Sequence, residues 1–147
     1  MTKLNLISAW SRTKLLWLSI LLPWLSVLYC WHYGSPVPFA PPNKWSAYLL
    51  LIIISPIIEE IAFRGLLQEL LVSRIKPKII ALVMVNLAFV MLHYARNSNL
   101  FYLALVFACG LIFSLLKECF ASLKVAVFMH SYYNCCFILL LRLVYTN

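Results

Sequence analysis

The sequence predicts an all-α fold, a polytopic membrane bundle of about five transmembrane helices. Hydrophobic residues make up 65% of the 147 residues and charged residues only 11%, whereas about a quarter of the residues of a soluble domain are usually charged. The apolar residues fall into five runs separated by short basic, polar or proline-rich segments. A chain of this length is expected to form one membrane domain, residues 1–147.

The first apolar run extends from Leu15 to about Tyr33 and follows a basic N-terminal segment. We interpret it as a retained span because it is long and aromatic and no A-x-A-like cleavage site follows it. Residues 32–46 contain four prolines and are predicted to form an extended surface connection.

The second span is predicted from about Ala47 to Val72. As a straight helix it would measure roughly 39 Å, so it should be tilted, kinked at Pro56 or emerging near Glu69. The remaining predicted spans and connections are a basic loop at 73–78, a span at 79–94, a polar turn at 95–99, a span at 100–116, a loop at 117–124 and a span at 125–143.

The basic residues predict the orientation. With five spans, eight of them share one side with the N-terminus: Lys3, Arg12, Lys14, Arg74, Lys76, Lys78, Lys117 and Lys124. Lys44, Arg96 and Arg142 lie on the other side. Because Lys and Arg concentrate on the cytoplasmic side of membrane proteins, the N-terminus is predicted to be cytoplasmic.

Charge and cysteine content exclude two other classes of protein. The net charge of +8 is spread between the apolar runs rather than gathered in one patch, so no nucleic-acid partner is expected. Cys30, Cys109, Cys119, Cys135 and Cys136 show neither metal-site spacing nor the even count of a disulfide framework, and we expect small core residues.

The unusual feature of the second span is its charged stretch, SPIIEEIAFRGLL, at residues 55–67. A charged side chain at the bilayer centre costs roughly 2.5 to 3.5 kcal/mol, so three of them need compensation. Glu60 and Arg64 are four residues apart in the favourable order for an intrahelical ion pair. Glu59 points about 100° away and needs another partner. Pro56 should kink the helix and free carbonyl groups to line a cavity.

Two other spans also contain polar residues. His93 ends the third span with Phe89 on the same helical face, and His130 and Asn134 share a face of the fifth. Together with Glu59 they supply a general base, a second imidazole and two oxyanion donors, a set suited to acyl-bond hydrolysis by an activated water. Zinc bound by Glu59, His93 and His130 is the competing interpretation. A nucleophilic serine is disfavoured because neither Ser55 nor Ser131 lies in a G-x-S-x-G elbow.

Three segments, EEIAFR (59–64), FVMLH (89–93) and HSYYN (130–134), resemble motifs of one family. They are similar to the E-E-x-x-x-R, F-x-x-x-H and H-x-x-x-N/D motifs of the CPBP intramembrane proteases, which include the type II CAAX prenyl endopeptidases and proteins related to bacteriocin self-immunity. The three motifs occur in order, each in its own apolar span, over about half of the chain.

The resemblance implies a glutamic-type intramembrane protease. Glu59 would be the base and His93 its partner, His130 and Asn134 would form the oxyanion hole, and Glu60, Arg64 and Phe89 would orient the site. Residues 47–143 would be the catalytic core, and residues 1–46 the first span and proline-rich loop. No cofactor is favoured by this interpretation, although zinc stays open.

The resemblance also suggests partners and location. The substrate would be a membrane-anchored or membrane-inserted protein or peptide, cut near its C-terminus, and the lipid bilayer would be the other partner. The CAAX endopeptidases have more spans, so a small bacterial member fits better than an enzyme for prenylated substrates. Such a member would resemble the myxosortase-type enzymes of JDVT-CTERM proteins, in the bacterial inner membrane.

Two interpretations without proteolysis stay open. In the first, the protein is a non-catalytic immunity or assembly partner whose polar residues only hold helices together. In the second, it is a small transporter or proton-conducting protein, because buried Glu and His residues also serve as relay groups in membranes.

Overall fold

A computed structural model describes residues 9–33 and 41–145. This part of the chain is all-α, as predicted, and contains five helices and no strand. The helices are α1 (Ala9–Tyr33), α2 (Trp45–Arg74), α3 (Lys78–Tyr94), α4 (Leu100–Phe120) and α5 (Leu123–Tyr145).

Helices α2, α3, α4 and α5 form a ring in which each packs against the next, and α5 closes the ring on α2. α1 lies outside the ring, against α5 and α4. It runs parallel to α5, with the Ser19 carbonyl bonded to the Tyr133 hydroxyl and Val27 near Leu140. The main apolar core is formed by Phe113, Leu116, Ala126, Met129 and Tyr133. The interior of the ring holds the polar residues.

The outer surface of the bundle is apolar. Leu18, Ile58, Leu66 and Phe128 expose between 61% and 69% of their surface, as expected where lipid rather than water surrounds the helices. Among the described helices, α2, α4 and α5 are long and apolar enough to cross a membrane, and α3 is a shorter apolar helix of 17 residues. Together these features define an integral membrane bundle.

α2 is longer than predicted and continuous through Pro56. Two wide, π-helical stretches, Leu50–Ile54 and Ile61–Leu67, flank the turn that carries the carboxylates. In the first, the Ser55 N–H bonds to the carbonyl of Leu50, five residues back. Such wide turns leave room for a residue without an N–H group, and they often mark functional sites in helices.

α4 corrects a predicted boundary. It continues to Phe120, so most of the predicted 117–124 loop is helical, and only two residues connect it to α5. The helix continues because the Lys117 ammonium group is neutralised inside the bundle by Glu69 and Glu118, and its side chain is only 10% exposed. Ala121, with φ of 49°, ends the helix in the left-handed conformation.

Two other expectations are partly corrected. Of the predicted 32–46 connection, residues 32–33 belong to α1 and residues 45–46 to α2, while residues 34–40 lie outside the described residues. Among the cysteines, only Cys136 is buried, Cys109 and Cys119 are half-buried and Cys135 is exposed. The Cys30 side chain lies outside the described set. The other four are free thiols.

Candidate active site

The two adjacent carboxylates of α2 lie in different surroundings. Successive helical residues point about 100° apart, so Glu59 and Glu60 face different parts of their surroundings. Glu60 is fully buried inside the ring, and Glu59 is 8% exposed and lines a cavity. The helix therefore separates one carboxylate for structure from another that can meet a substrate.

Glu60 connects two helices through a single oxygen. Its Oε1 accepts hydrogen bonds from Arg64 Nη1 at 3.1 Å and from His130 Nδ1 at 2.8 Å. The ion pair predicted from the spacing of Glu60 and Arg64 is therefore present, and its second function is to hold the imidazole of His130 on α5. The carboxylate fixes the orientation of that ring.

The Arg64 guanidinium is fully buried and has partners on three helices. Besides Glu60, its Nη2 donates to Asn86 Oδ1 at 3.2 Å and to the carbonyl oxygen of Gly110 at 2.9 Å. The guanidinium carbon lies 4.4 Å from the centre of the Phe89 ring, within cation–π range. Arg64 thereby fixes the positions of α2, α3 and α4 relative to one another.

The sequence analysis missed three residues of this arrangement, Asn86, Gly110 and Ser114. Asn86 Nδ2 donates to Ser114 Oγ at 3.1 Å, and Asn86 Oδ1 accepts from Arg64. One signal was available for Asn86, because it lies three and seven residues before Phe89 and His93 and so shares their helical face. No sequence pattern indicated the contributions of α4.

Glu59 meets both candidate histidines. Its Oε1 accepts a hydrogen bond from the Ser55 hydroxyl, and its Oε2 lies 4.0 Å from His93 Nε2 and 3.8 Å from His130 Nε2. The Oε2 atom is buried and has no hydrogen-bond partner among the described residues. The three predicted residues from three helices thus surround one gap, and Ser55 is a fourth member of the group.

The partners of the two imidazoles assign their hydrogens. His93 Nδ1 lies 3.0 Å from the Phe89 carbonyl oxygen, and His130 Nδ1 faces the Glu60 carboxylate. Both partners only accept hydrogen bonds, so each Nδ1 carries the hydrogen. In the neutral rings, both Nε2 lone pairs therefore point toward Glu59 Oε2. A group with hydrogens to donate, such as water, fits between these three acceptors.

Aromatic rings hold both imidazoles in place. Phe89 packs on His93 with ring centres 4.5 Å apart, and Phe113 stacks on His130 at 5.0 Å with an interplanar angle of 20°. Because Phe89 also contacts the Arg64 guanidinium, the predicted orienting residue lies between the ion pair and the site. These contacts restrict the rotation of both rings without using their Nε2 atoms.

Asn134 is held by α2. Its Nδ2 donates to the carbonyl oxygen of Leu51 at 2.8 Å. In the wide turn, the carbonyl of residue 51 would accept a hydrogen bond from the N–H group of residue 56. Residue 56 is a proline and has no N–H group. The Leu51 carbonyl therefore lies where Pro56 was predicted to free a backbone acceptor, and it orients the Asn134 amide, which keeps a second N–H.

A cavity of about 480 Å³ joins these side chains. Glu59, His93, His130 and Asn134 line it together with Arg96 and Tyr102. Arg96 Nη1 lies 3.9 Å from Glu59 Oε1, and the Arg96 side chain is 60% exposed. The remaining walls are largely apolar and include residues of α1. The site combines a small polar centre with apolar surroundings, as ligand pockets commonly do.

The site was also compared with the requirements of zinc. Two imidazoles and one carboxylate are donors that zinc accepts, and hydrogen bonds from Nδ1 to Glu60 and to a backbone carbonyl are typical partners of metal-binding histidines. Within residues 9–33 and 41–145, however, no group of three His, Cys or Glu side chains has the arrangement to hold a metal ion.

Fold and site together define a membrane-embedded hydrolase-like centre made of a carboxylate, two imidazoles and an amide. Residues 41–136 match the family described as type II CAAX prenyl endopeptidase Rce1-like, and the chain belongs to this family. The matched region contains every residue of the site and excludes α1. No curated protein and no solved structure matches the chain significantly. The family is one of proteases, so the chain is a membrane peptidase by membership.

Proposed function

We propose that the protein is an intramembrane endopeptidase that hydrolyses a peptide bond with a water molecule activated by Glu59 and His93. The observation that supports this most strongly is the gap between Glu59 Oε2 and the Nε2 atoms of His93 and His130, at 4.0 and 3.8 Å. A water molecule in this gap can donate one hydrogen to Glu59 and the other to an imidazole, which raises the electron density on its oxygen.

In the proposed reaction, the water oxygen attacks the carbonyl carbon of the scissile bond as its proton passes to Glu59. The C–O bond forms and the carbonyl oxygen becomes an oxyanion. The intermediate collapses by breaking the C–N bond, and the proton held by Glu59 passes to the leaving amine. Ser55, hydrogen-bonded to the other carboxylate oxygen, keeps Glu59 directed at the gap.

The oxyanion requires donors. Asn134 donates one amide N–H to the Leu51 carbonyl, and its second amide N–H can donate to the oxyanion. His130 can donate from Nε2 only when both of its ring nitrogens carry hydrogen, because Nδ1–H is already bonded to Glu60. One oxyanion donor contributes about 10²–10³ to kcat in acyl-transfer enzymes.

The resemblance to small bacterial members of the family supports a more specific proposal. The substrate is a membrane-anchored protein cut near its C-terminus, and the enzyme is located in a bacterial inner membrane. The apolar walls around the polar centre support a substrate whose scissile bond adjoins a membrane-inserted segment.

The experiment is a cleavage assay in cells that co-express the enzyme with candidate membrane-tethered proteins of the same genome. Glu59→Gln preserves the shape of the side chain and removes the base, so processing should fall at least 10²-fold at equal enzyme abundance. Glu69→Gln is the matched control, because Glu69 is 63% exposed and is not among the residues that line the cavity, and Lys117 keeps Glu118 as its counter-ion. This variant should retain processing.

The outcomes separate the alternatives. Full processing by Glu59→Gln at equal abundance would refute the general-base assignment. If only variants that lower abundance reduce function, the protein is a structural partner rather than a protease. Proton or ion flux in vesicles, lost in Glu59→Gln, would favour the transporter. Inhibition of the purified enzyme by a chelator, reversed by zinc, would establish a metal mechanism.

A further inference from the structure

The cavity belongs to one end of the bundle. On α2, Glu59 is the last lining residue along the chain, and on α3 Phe89 is the first. On α4 the lining residues lie between Tyr102 and Phe113. On α5 they extend from His130 toward the C-terminus. Phe113, His130 and Tyr133 lie within about one turn of the midpoints of their helices, and the other lining residues belong to the helix halves nearest the 95–99 turn. We name this end, with Lys44, Arg96 and Arg142, the turn end.

The other end, named the basic end, is formed by the 73–78 connection and the link between α4 and α5. It carries Arg74, Lys76, Lys78, Lys117 and Lys124. α1 runs parallel to α5, so Arg12 and Lys14 at its start lie at this end as well. Among residues 9–33 and 41–145, none of those that line this cavity comes from the basic end.

The depth of the site favours access from the turn end. His93 is the residue before last of α3, and Arg96 lies beyond the end of that helix. Because α3 has only 17 residues, its length is about 26 Å. On α3 the catalytic gap therefore lies within one helical turn of the end of the helix, and the exposed Arg96 side chain lines the way to it from the turn end.

We infer that the cavity opens to the non-cytoplasmic side of the membrane, and that its substrate is an exported protein segment beside a membrane anchor. Basic residues concentrate on the cytoplasmic side, so the basic end is cytoplasmic and the turn end faces away from the cytoplasm. The apolar cavity wall contributed by Leu22, Val27, Leu140 and Leu141 accommodates the apolar residues at the start of the anchor. The identity of this occupant rests on the proposed protease function.

The test of sidedness uses two exposed serines as a matched pair. Ser98 lies in the 95–99 turn and Ser73 is near the end of α2, so they flank α3 on opposite ends of the bundle. In a cysteine-free background, Ser98→Cys should react with a membrane-impermeant maleimide in cells with a permeabilised outer membrane. Ser73→Cys should react only after lysis. The reverse pattern, or equal labelling of both positions, overturns the inference.

The cavity itself is tested by Val106→Cys. Val106 lines the cavity and is half-buried. A small, charged methanethiosulfonate should modify this cysteine when it is added to the outside of cells. It should not modify the cysteine when it is added to inverted vesicles, which expose the cytoplasmic side. Modification from the cytoplasmic side, or from neither side, overturns the proposed opening.

Both labelling experiments are repeated in the Glu59→Gln background, where they should give the same pattern. They need no activity, so they distinguish a wrong sidedness from a wrong function. If the turn end is outside and no exported, membrane-anchored substrate is cleaved, the proposed function fails while the orientation holds.

Discussion

Gly110 on α4 lies where the backbone must approach Arg64 closely, and its replacement by alanine should damage the site without touching a reacting group. A Cβ at this position would lie 2.5 Å from Asn86 Oδ1 and 3.0 Å from Arg64 Nη2. Asn86 cannot move freely, because its amide is bonded to Ser114 and to the Leu82 carbonyl. Gly110→Ala therefore has to break the contact between Asn86 and Arg64 or shift α4.

The expected loss of stability combines two effects. Overpacking of a core costs about 1–3 kcal/mol, and losing a hydrogen bond to a charged group costs about 1.5–3 kcal/mol. Alanine gains about 0.8–1 kcal/mol of helix propensity over glycine. The net loss is then about 2–5 kcal/mol. Because Arg64 holds Glu60, and Glu60 holds His130, proteolysis should decrease as well.

Gly65 provides the matched control. It is also inside a helix, directly after Arg64, and a Cβ there would meet Leu123 Cδ2 at 3.5 Å, an ordinary contact. Gly65→Ala should be neutral or slightly stabilising. Thermal unfolding in detergent, followed by tryptophan fluorescence, compares the two variants, and cleavage is measured at equal abundance. If Gly110→Ala were as stable and active as Gly65→Ala, the close packing around Arg64 would not be what orders the site.

Two further substitutions test the positioning of the catalytic groups. Glu60→Gln keeps an acceptor of the same shape but leaves the Arg64 charge buried without its counter-ion. Because breaking a buried ion pair costs about 3–5 kcal/mol, the variant should unfold in detergent at a clearly lower temperature. Unchanged stability would contradict the assignment. Pro56→Ala restores an N–H group that competes with Asn134 for the Leu51 carbonyl, so kcat should fall while stability is maintained or rises. Single-turnover cleavage and thermal unfolding of the same preparation measure the two quantities. An undiminished kcat would show that the Leu51 carbonyl does not orient Asn134.

The arrangement shows how the membrane protein accommodates its buried charges. Glu60, Arg64 and Asn86 bond to one another inside the ring, together with backbone carbonyls and Ser114. Glu60 Oε2 and Arg64 Nε are left without a hydrogen-bond partner among the described residues. Lys117, Glu69 and Glu118 form a second neutralising group at the basic end. Glu59 Oε2 is a buried oxygen without a hydrogen-bond partner beside the cavity. Unsatisfied polar atoms at such a position are typical of a site that binds or activates something.

The sequence by itself determined the features that depend on local spacing. Apolar runs indicated the five helices, because helices that cross lipid must satisfy their own backbone groups. A separation of four residues predicted the contact of Glu60 with Arg64 and that of Phe89 with His93, since such residues share a helical face. The same reasoning left Glu59 to be explained by another helix, a metal, a proton or a substrate, and it missed the bond from Ser55, four residues earlier in α2.

The tertiary structure decided what depends on the rotation and depth of one helix relative to another. Glu59 and His130 lie near the middle of their helices and His93 near the end of its own, yet packing brings them around one gap. The tertiary structure also decided that Glu60 binds Nδ1 of His130 and that Gly110 and Ser114 complete the surroundings of Arg64. It likewise decided that Lys117 belongs to helix α4. Periodicity fixes which face a residue occupies, whereas side-chain packing between helices fixes what that face meets.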